Sequence, residues 1–137
     1  MTISFTVHGT PQPQGSAKAF IPKGWKRAVI TSDNKKLKPW RQDVAAMASE
    51  QMQLSVMHGH PLECAVAVTC RFFFPKPKST SKRITRKITK PDVDKLLRAA
   101  LDSMTGIVFR DDAQVVESHI YKEFAQGPSA QFTVETL

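Results

Sequence analysis

Residues 90–106 read KPDVDKLLRAALDSMTG, and the fold turns on how this stretch is understood. Val93, Leu96, Leu97, Ala100, Leu101 and Met104 recur at helical spacing. Pro91 suits a helix start, and Gly106 supplies a left-handed stop. An amphipathic helix needs an apolar partner, and residues 63–74 provide one. There Cys64, Val66, Val68, Cys70, Phe72 and Phe74 alternate onto one face, which predicts a long central strand with both cysteines reduced in the core.

Further strands flank this pair. Near the N-terminus Ile3, Phe5 and Val7 alternate with polar residues up to Gly9. Two final strands are expected over residues 115–124 and 130–136, joined by a turn at Gln126-Gly127-Pro128-Ser129. From Pro39, the residues Trp40, Val44, Met47, Ala48 and Leu54 predict another helix of about four turns, stopped at His58-Gly59-His60-Pro61. Residues 10–27 read as an irregular arm pinned by Phe20 and Trp25. The stretch of about 75–90, PKPKSTSKRITRKITK, has only Ile84 and Ile88 as large apolar residues and reads as a mobile basic arm or a solvated loop. The sum is one α+β (mixed α/β) domain over residues 1–137, a small sheet covered by two main helices.

Composition narrows the function. The 137 residues carry 20 Lys and Arg against 12 Asp and Glu, a net charge of +8 that suits a polyanionic partner such as nucleic acid. Ten of the basic residues lie between Arg71 and Arg98, where the only acids are Asp92 and Asp94. No apolar run approaches a membrane span, and the opening residues lack a secretory pattern, so a soluble, cytoplasmic protein is expected, with no membrane partner. Two cysteines make no disulfide framework or zinc site, and the four histidines form no catalytic or metal grouping.

The acids are the candidates for chemistry. Asp92 and Asp94 open the helix, and Asp111-Asp112 follow it after a short connection. Positions two apart on a helix point about 200° apart, so Asp92 and Asp94 converge only if Asp92 is still extended. Each has a bland use: Asp92 as a cap, Asp94 as complement to the helix dipole, Asp111-Asp112 as a turn pair. Together with Asp112 they form a set of hard oxygen ligands of the kind that Mg²⁺ or Mn²⁺ takes. Arg98, one turn beyond Asp94, suits either an ion pair with it or a contact to a reacting phosphate.

The run from Lys90 to Val116 resembles the signature of the RusA family of Holliday-junction resolvases, K-P-D-hydrophobic-D-N-L-x-K-A, then D-A-L, then D-D-x-Q-V. The resemblance implies a homodimeric, Mg²⁺-dependent endonuclease that nicks two opposing strands of a four-way DNA junction in recombination and repair, in a bacterium or its phages. By position it implies Asp92, Asp94 and Asp112 as catalytic metal ligands, with Asp111 adjacent. The family's catalytic Lys falls on Arg98 and its Asn on Lys95, both departures from the pattern. Arg98 keeps the charge but stays protonated at any working pH. Lys76, Lys78, Lys82, Arg83, Arg86, Lys87, Lys90 and Lys95 are the expected DNA-binding residues. A DNA-binding module that has lost catalysis, and a nuclease for another branched or flap DNA, are the alternatives.

Overall fold

The structure, a computed structural model, describes residues 1–15, 17–32 and 34–137. In chain order it runs β1 (Thr2–His8), β2 (Ala17–Phe20), β3 (Val29–Ser32), α1 (Leu37–Leu54), β4 (Val66–Pro75), α2 (Val93–Met104), a 3₁₀ turn (Asp112–Gln114), β5 (Val115–Ala125) and β6 (Ser129–Thr136). Four strands form a mixed sheet in the order β1-β6-β4-β5. The pairs β1/β6 and β4/β6 are antiparallel, while β4/β5 is parallel. A parallel pair needs a crossover, and here residues 76–114, with α2 at their centre, make it. This is the α+β domain that the sequence predicts.

Alternation sets which face is buried. On β1 the side chains of Ile3, Phe5 and Val7 point inward; on β4 those of Val66, Val68, Cys70, Phe72 and Phe74 do. They join Phe132 and Val134 of β6, with the Phe132 ring tilted by 40° to that of Phe5 at 5.3 Å and edge-on to Phe72 at 5.8 Å. The helices cover this face. Trp40, Val44, Ala48 and Met52 of α1 follow a spacing of four, and Leu96, Ala100 and Met104 of α2 do likewise, all in the same core cluster. α1 is longer than expected, starting two residues before Pro39, a position in the first turn where proline's missing N–H costs no helical bond. Its Met47 and Leu54 are exposed rather than buried. No helix among the described residues is long and apolar enough to cross a membrane.

Three expectations need correction. Cys64 is exposed and only Cys70 is a core thiol, because β4 begins at Val66 and not at residue 63. The 10–27 arm is not wholly irregular: β2 and β3 pair antiparallel as a separate two-stranded ribbon. Trp25 is 61% exposed and does not pin it, and the Phe20 side chain lies outside what is described. Residues 76–92 contain no helix or strand, as expected of the basic arm.

Candidate active site

Asp92 is the N-cap residue of α2, with φ −75° and ψ 143°, so its backbone is extended while Val93 onward is helical. That extended geometry is the condition under which Asp92 and Asp94 can face a common point. The Asp92 side chain makes no capping hydrogen bond, and Asp94 lies in the first turn. The preceding Lys90–Pro91 bond is cis. Asp94 and Arg98 form no ion pair, so the local bridge that their spacing allows is not made among the described residues. Arg98 is exposed on the same helix face, one turn along.

Asp92 opens onto a cleft of about 590 Å³ between the α2 entrance and residues 10–15. Lys87, Lys90 and Lys95 line it with Asp92, and Phe74 and three prolines form apolar parts of its wall. The far wall is tied to the helix by one backbone bond, Gln14 N–H to Lys95 O at 3.0 Å. The Lys87 ammonium lies 4.9 Å from the Phe74 ring and donates to Thr89 Oγ1 at 3.0 Å. Desolvation first, then the neighbouring charge of Lys122, lower its pKa from the ordinary lysine value.

The second acidic group stands elsewhere. Asp111 accepts from Ala113 N–H at 2.9 Å while Gln114 Oε1 accepts from Asp111 N–H at 2.9 Å, a reciprocal capping box that occupies Asp111 structurally. Gln114 Nε2 also donates to Leu62 O and Cys64 O, tying this turn to the chain before β4. Asp112 is exposed, and partial desolvation, a hydrogen bond with Asp111 and the charges of Asp111 and Asp102 push its carboxyl above the ordinary range. Asp102 lies ten residues beyond Asp92 on α2, about 15 Å along the axis at the helical rise. A single chain therefore places Asp92 and Asp94 at one end of α2 and sets Asp112 with Asp111 and Asp102 at the other. Among the described residues no three His, Cys, Asp or Glu side chains gather as a metal-holding group. The donors are nonetheless all hard carboxylate oxygens, the chemistry that Mg²⁺ and Mn²⁺ require.

Of the expected DNA-binding residues, Lys87, Lys90 and Lys95 surround the Asp92 cleft. Lys82, Arg83 and Arg86 project from the exposed arm, and Lys76 lies 5.8 Å from the Phe124 ring at the end of β5. Lys78 is exposed in the turn that follows. Two polar anchors, Gln114 and Lys122, have no role that the sequence pattern states. Lys122 Nζ donates to Thr89 O at 2.8 Å and to Pro91 O at 2.9 Å. The signals available were the glutamine two residues after Asp112 and a lone lysine in an acidic stretch.

The model of a family described as Endodeoxyribonuclease RusA matches residues 8–135. An uncharacterized protein of Bacillus subtilis (strain 168), YqaN, is 30% identical over 145 residues, an alignment that covers 98% of this chain and 96% of the relative.

Proposed function

The chain belongs to the RusA endodeoxyribonuclease family, and on that premise we propose that it is a divalent-metal-dependent endonuclease that resolves four-way DNA junctions by paired nicks in opposing strands, acting as a homodimer in the cytoplasm of a bacterium or with its phages. One observation carries the reading: the uncapped Asp92 carboxylate, with Asp94 two residues on, opens onto a cleft lined by three lysines. A plain cap has its oxygen engaged by the helix N–H groups. An Asp without that bond, set among cations that attract a phosphate backbone, suits chemistry on the backbone instead.

The residues have distinct tasks. Asp92, Asp94 and Asp112 would hold the divalent ion, which would supply activation of water and neutralise charge at the phosphate. Lys87, Lys90 and Lys95 draw the strand into the cleft, and Arg98 faces the charge that develops on the phosphate. Lys82, Arg83 and Arg86 contribute backbone contacts farther out.

Dimerisation answers two needs at once. Paired cuts in opposing strands need two sites related by a two-fold axis. The placement of the acids favours the same arrangement, because Asp112 stands with Asp102 at the other end of α2 from Asp92. Each site would then take Asp92 and Asp94 from one chain and Asp112 of the partner subunit.

Nicking of labelled junction, flap and linear duplex in Mg²⁺ tests the function directly. Cleavage of the junction in symmetric positions is expected, with Ca²⁺ supporting binding but not turnover. Robust cleavage in excess chelator would refute the metal chemistry. Mixing Asp92→Asn with Asp112→Asn chains, each inactive alone, tests the shared site: one heterodimer site then carries both defects and the other none, so single nicks return. Absence of recovery after verified subunit exchange would place all three acids of a site in one chain.

A further inference from the structure

Lys122 is one of only two basic residues after Arg98, the other being Arg110. It stands on β5, opposite Phe72 of β4 in the parallel pair. Its ammonium is not directed to a carboxylate: among the described residues it forms no ion pair, and its two hydrogen bonds go to the carbonyl oxygens of Thr89 and Pro91 at 2.8 and 2.9 Å. Those carbonyls belong to the last residues before Asp92. A lysine that points its charge at neutral backbone, close enough to Lys87 to lower that group's pKa, accepts repulsion that a solvated surface position would avoid.

The bond to Pro91 O has a direct geometric meaning. The Pro91 carbonyl and the Asp92 nitrogen lie in one rigid peptide plane, so holding that oxygen fixes the direction from which Asp92 leaves the plane. On the other side, Asp92 O accepts the first helical bond, from Leu96 N–H at 3.1 Å. Asp92 is thus held by its backbone at both flanks while its side chain makes no capping bond. Charge-assisted hydrogen bonds of this kind are about twice as strong as neutral ones. They replace the fixing that a side-chain cap would otherwise supply, and they leave the carboxylate available.

We propose that Lys122 is the positioning residue of the Asp92–Asp94 pair, clamping residues 89–91 to β5 so that Asp92 stays extended at the α2 entrance with its carboxylate free for the reaction. It acts through backbone and touches neither substrate nor metal. The reaction itself rests on the proposed function; the clamp does not.

The test uses the full-length protein with Lys122→Met and Lys122→Arg. Hydrogen exchange followed by mass spectrometry reads the clamp without DNA or metal. The Leu96 and Leu97 amides, the first that α2 protects, should exchange at least about tenfold faster in Lys122→Met, with β4 and β6 unchanged, since only a local opening is released. On junction DNA, single-turnover nicking by saturating Lys122→Met should fall about 10- to 100-fold, the usual effect of loosening a supporting group, with affinity within about threefold of wild type. Lys122→Arg, which retains charge and donors, should recover most of both. Unchanged exchange at Leu96 and Leu97 would overturn the proposal. So would a loss of affinity matching the loss of rate, with the salt slope reduced by about one, because that marks a phosphate contact. Should Lys122→Met unfold, Lys122→Gln carries the same readouts with a shorter donor. A wild-type protein that nicks no branched DNA would remove the proposed function, whereas the exchange result would still decide whether Lys122 holds the helix entrance.

Discussion

Gln114 Nε2 lies 2.8 Å from the carbonyl oxygen of Cys64, linking the turn that carries Asp112 to the chain that leads into β4. The same amide donates to Leu62 O at 3.0 Å, and its Oε1 accepts from Asp111 N–H. One side chain therefore fixes the Asp111-Asp112 turn at three backbone points. Gln114→Ala should lower stability by about 0.5–1.5 kcal/mol, because it removes the amide's hydrogen bonds while Leu62 O keeps that of Arg110 N–H and water reaches the exposed groups. Gln114→Glu should be no milder, since a carboxylate cannot donate to two carbonyls. Thermal melting checks both. A melting temperature at the wild-type value for Gln114→Ala would mean that water replaces the amide without cost.

The same turn explains part of what the sequence hid. β1, β6 and α2 were legible because their apolar residues keep one period from end to end. In residues 62–66 the period misleads: Leu62 N–H and O bond to Val108 and Arg110, Glu63 pairs with Arg110, and Gln114 holds Leu62 and Cys64, so this segment engages the connection after α2. The β4–β5 register also shifts between Val66 and Ala67. Alternation read backward from Val66 therefore assigns Cys64 to a face that it does not occupy. β2 and β3 were illegible for another reason, as four residues each among Pro, Gly and Lys carry too little pattern to distinguish a ribbon from a loop.

The candidate acids were legible in the sequence, and their placement was not. Asp92 and Asp94 sit where the Pro91 signal puts them. Within one chain Asp112 does not join them, because most of α2 separates the two acidic groups, and nothing in a linear motif states which end of that helix the chain revisits. Lys122 was invisible because its partners are carbonyl oxygens, which leave no trace in side-chain chemistry.

The two thiols should differ sharply in reactivity. Burial pushes the Cys70 thiol up to about 12, so it remains neutral at working pH, and the thiolate is the reactive form. Cys64 is exposed. Ellman's reagent at pH 8 should titrate one thiol in the native protein and two in denaturant. Two fast native thiols would show that β4 opens readily at Cys70.

Arg98 occupies the family's lysine position without the ion pair to Asp94 that would make it a structural residue. Arg98→Ala should slow single-turnover cleavage by at least tenfold, about 1.4 kcal/mol or more at the transition state, while junction affinity changes little. Arg98→Lys should retain activity, since a positive charge is what the position needs. A wild-type rate for Arg98→Ala, measured at saturating enzyme, would reduce it to a surface cation.

Binding and chemistry should separate between the arm and the helix entrance. Lys82, Arg83 and Arg86 are exposed and belong to no ion pair among the described residues, so their charges are available to phosphates. Each phosphate contact releases condensed counterions and adds about 0.9 to the slope of log affinity against log salt. Neutralising all three should therefore weaken junction binding and reduce the slope by about 2 to 3, with single-turnover cleavage of saturated complex largely retained. Lys87 does not belong with them, since it is engaged by Thr89 and Phe74 and its loss would also disturb the α2 entrance. Asp92→Asn should do the reverse. It removes a negative charge that faces the lysine-lined cleft, so metal-free binding should hold or tighten, while cleavage should disappear because an amide is a poor ligand for a hard divalent ion. Filter binding across a salt series and quenched cleavage on the same junction measure both quantities. Parallel loss of binding and cleavage in Asp92→Asn, or its unfolding, would assign Asp92 to the architecture of α2 and end its claim to the chemistry.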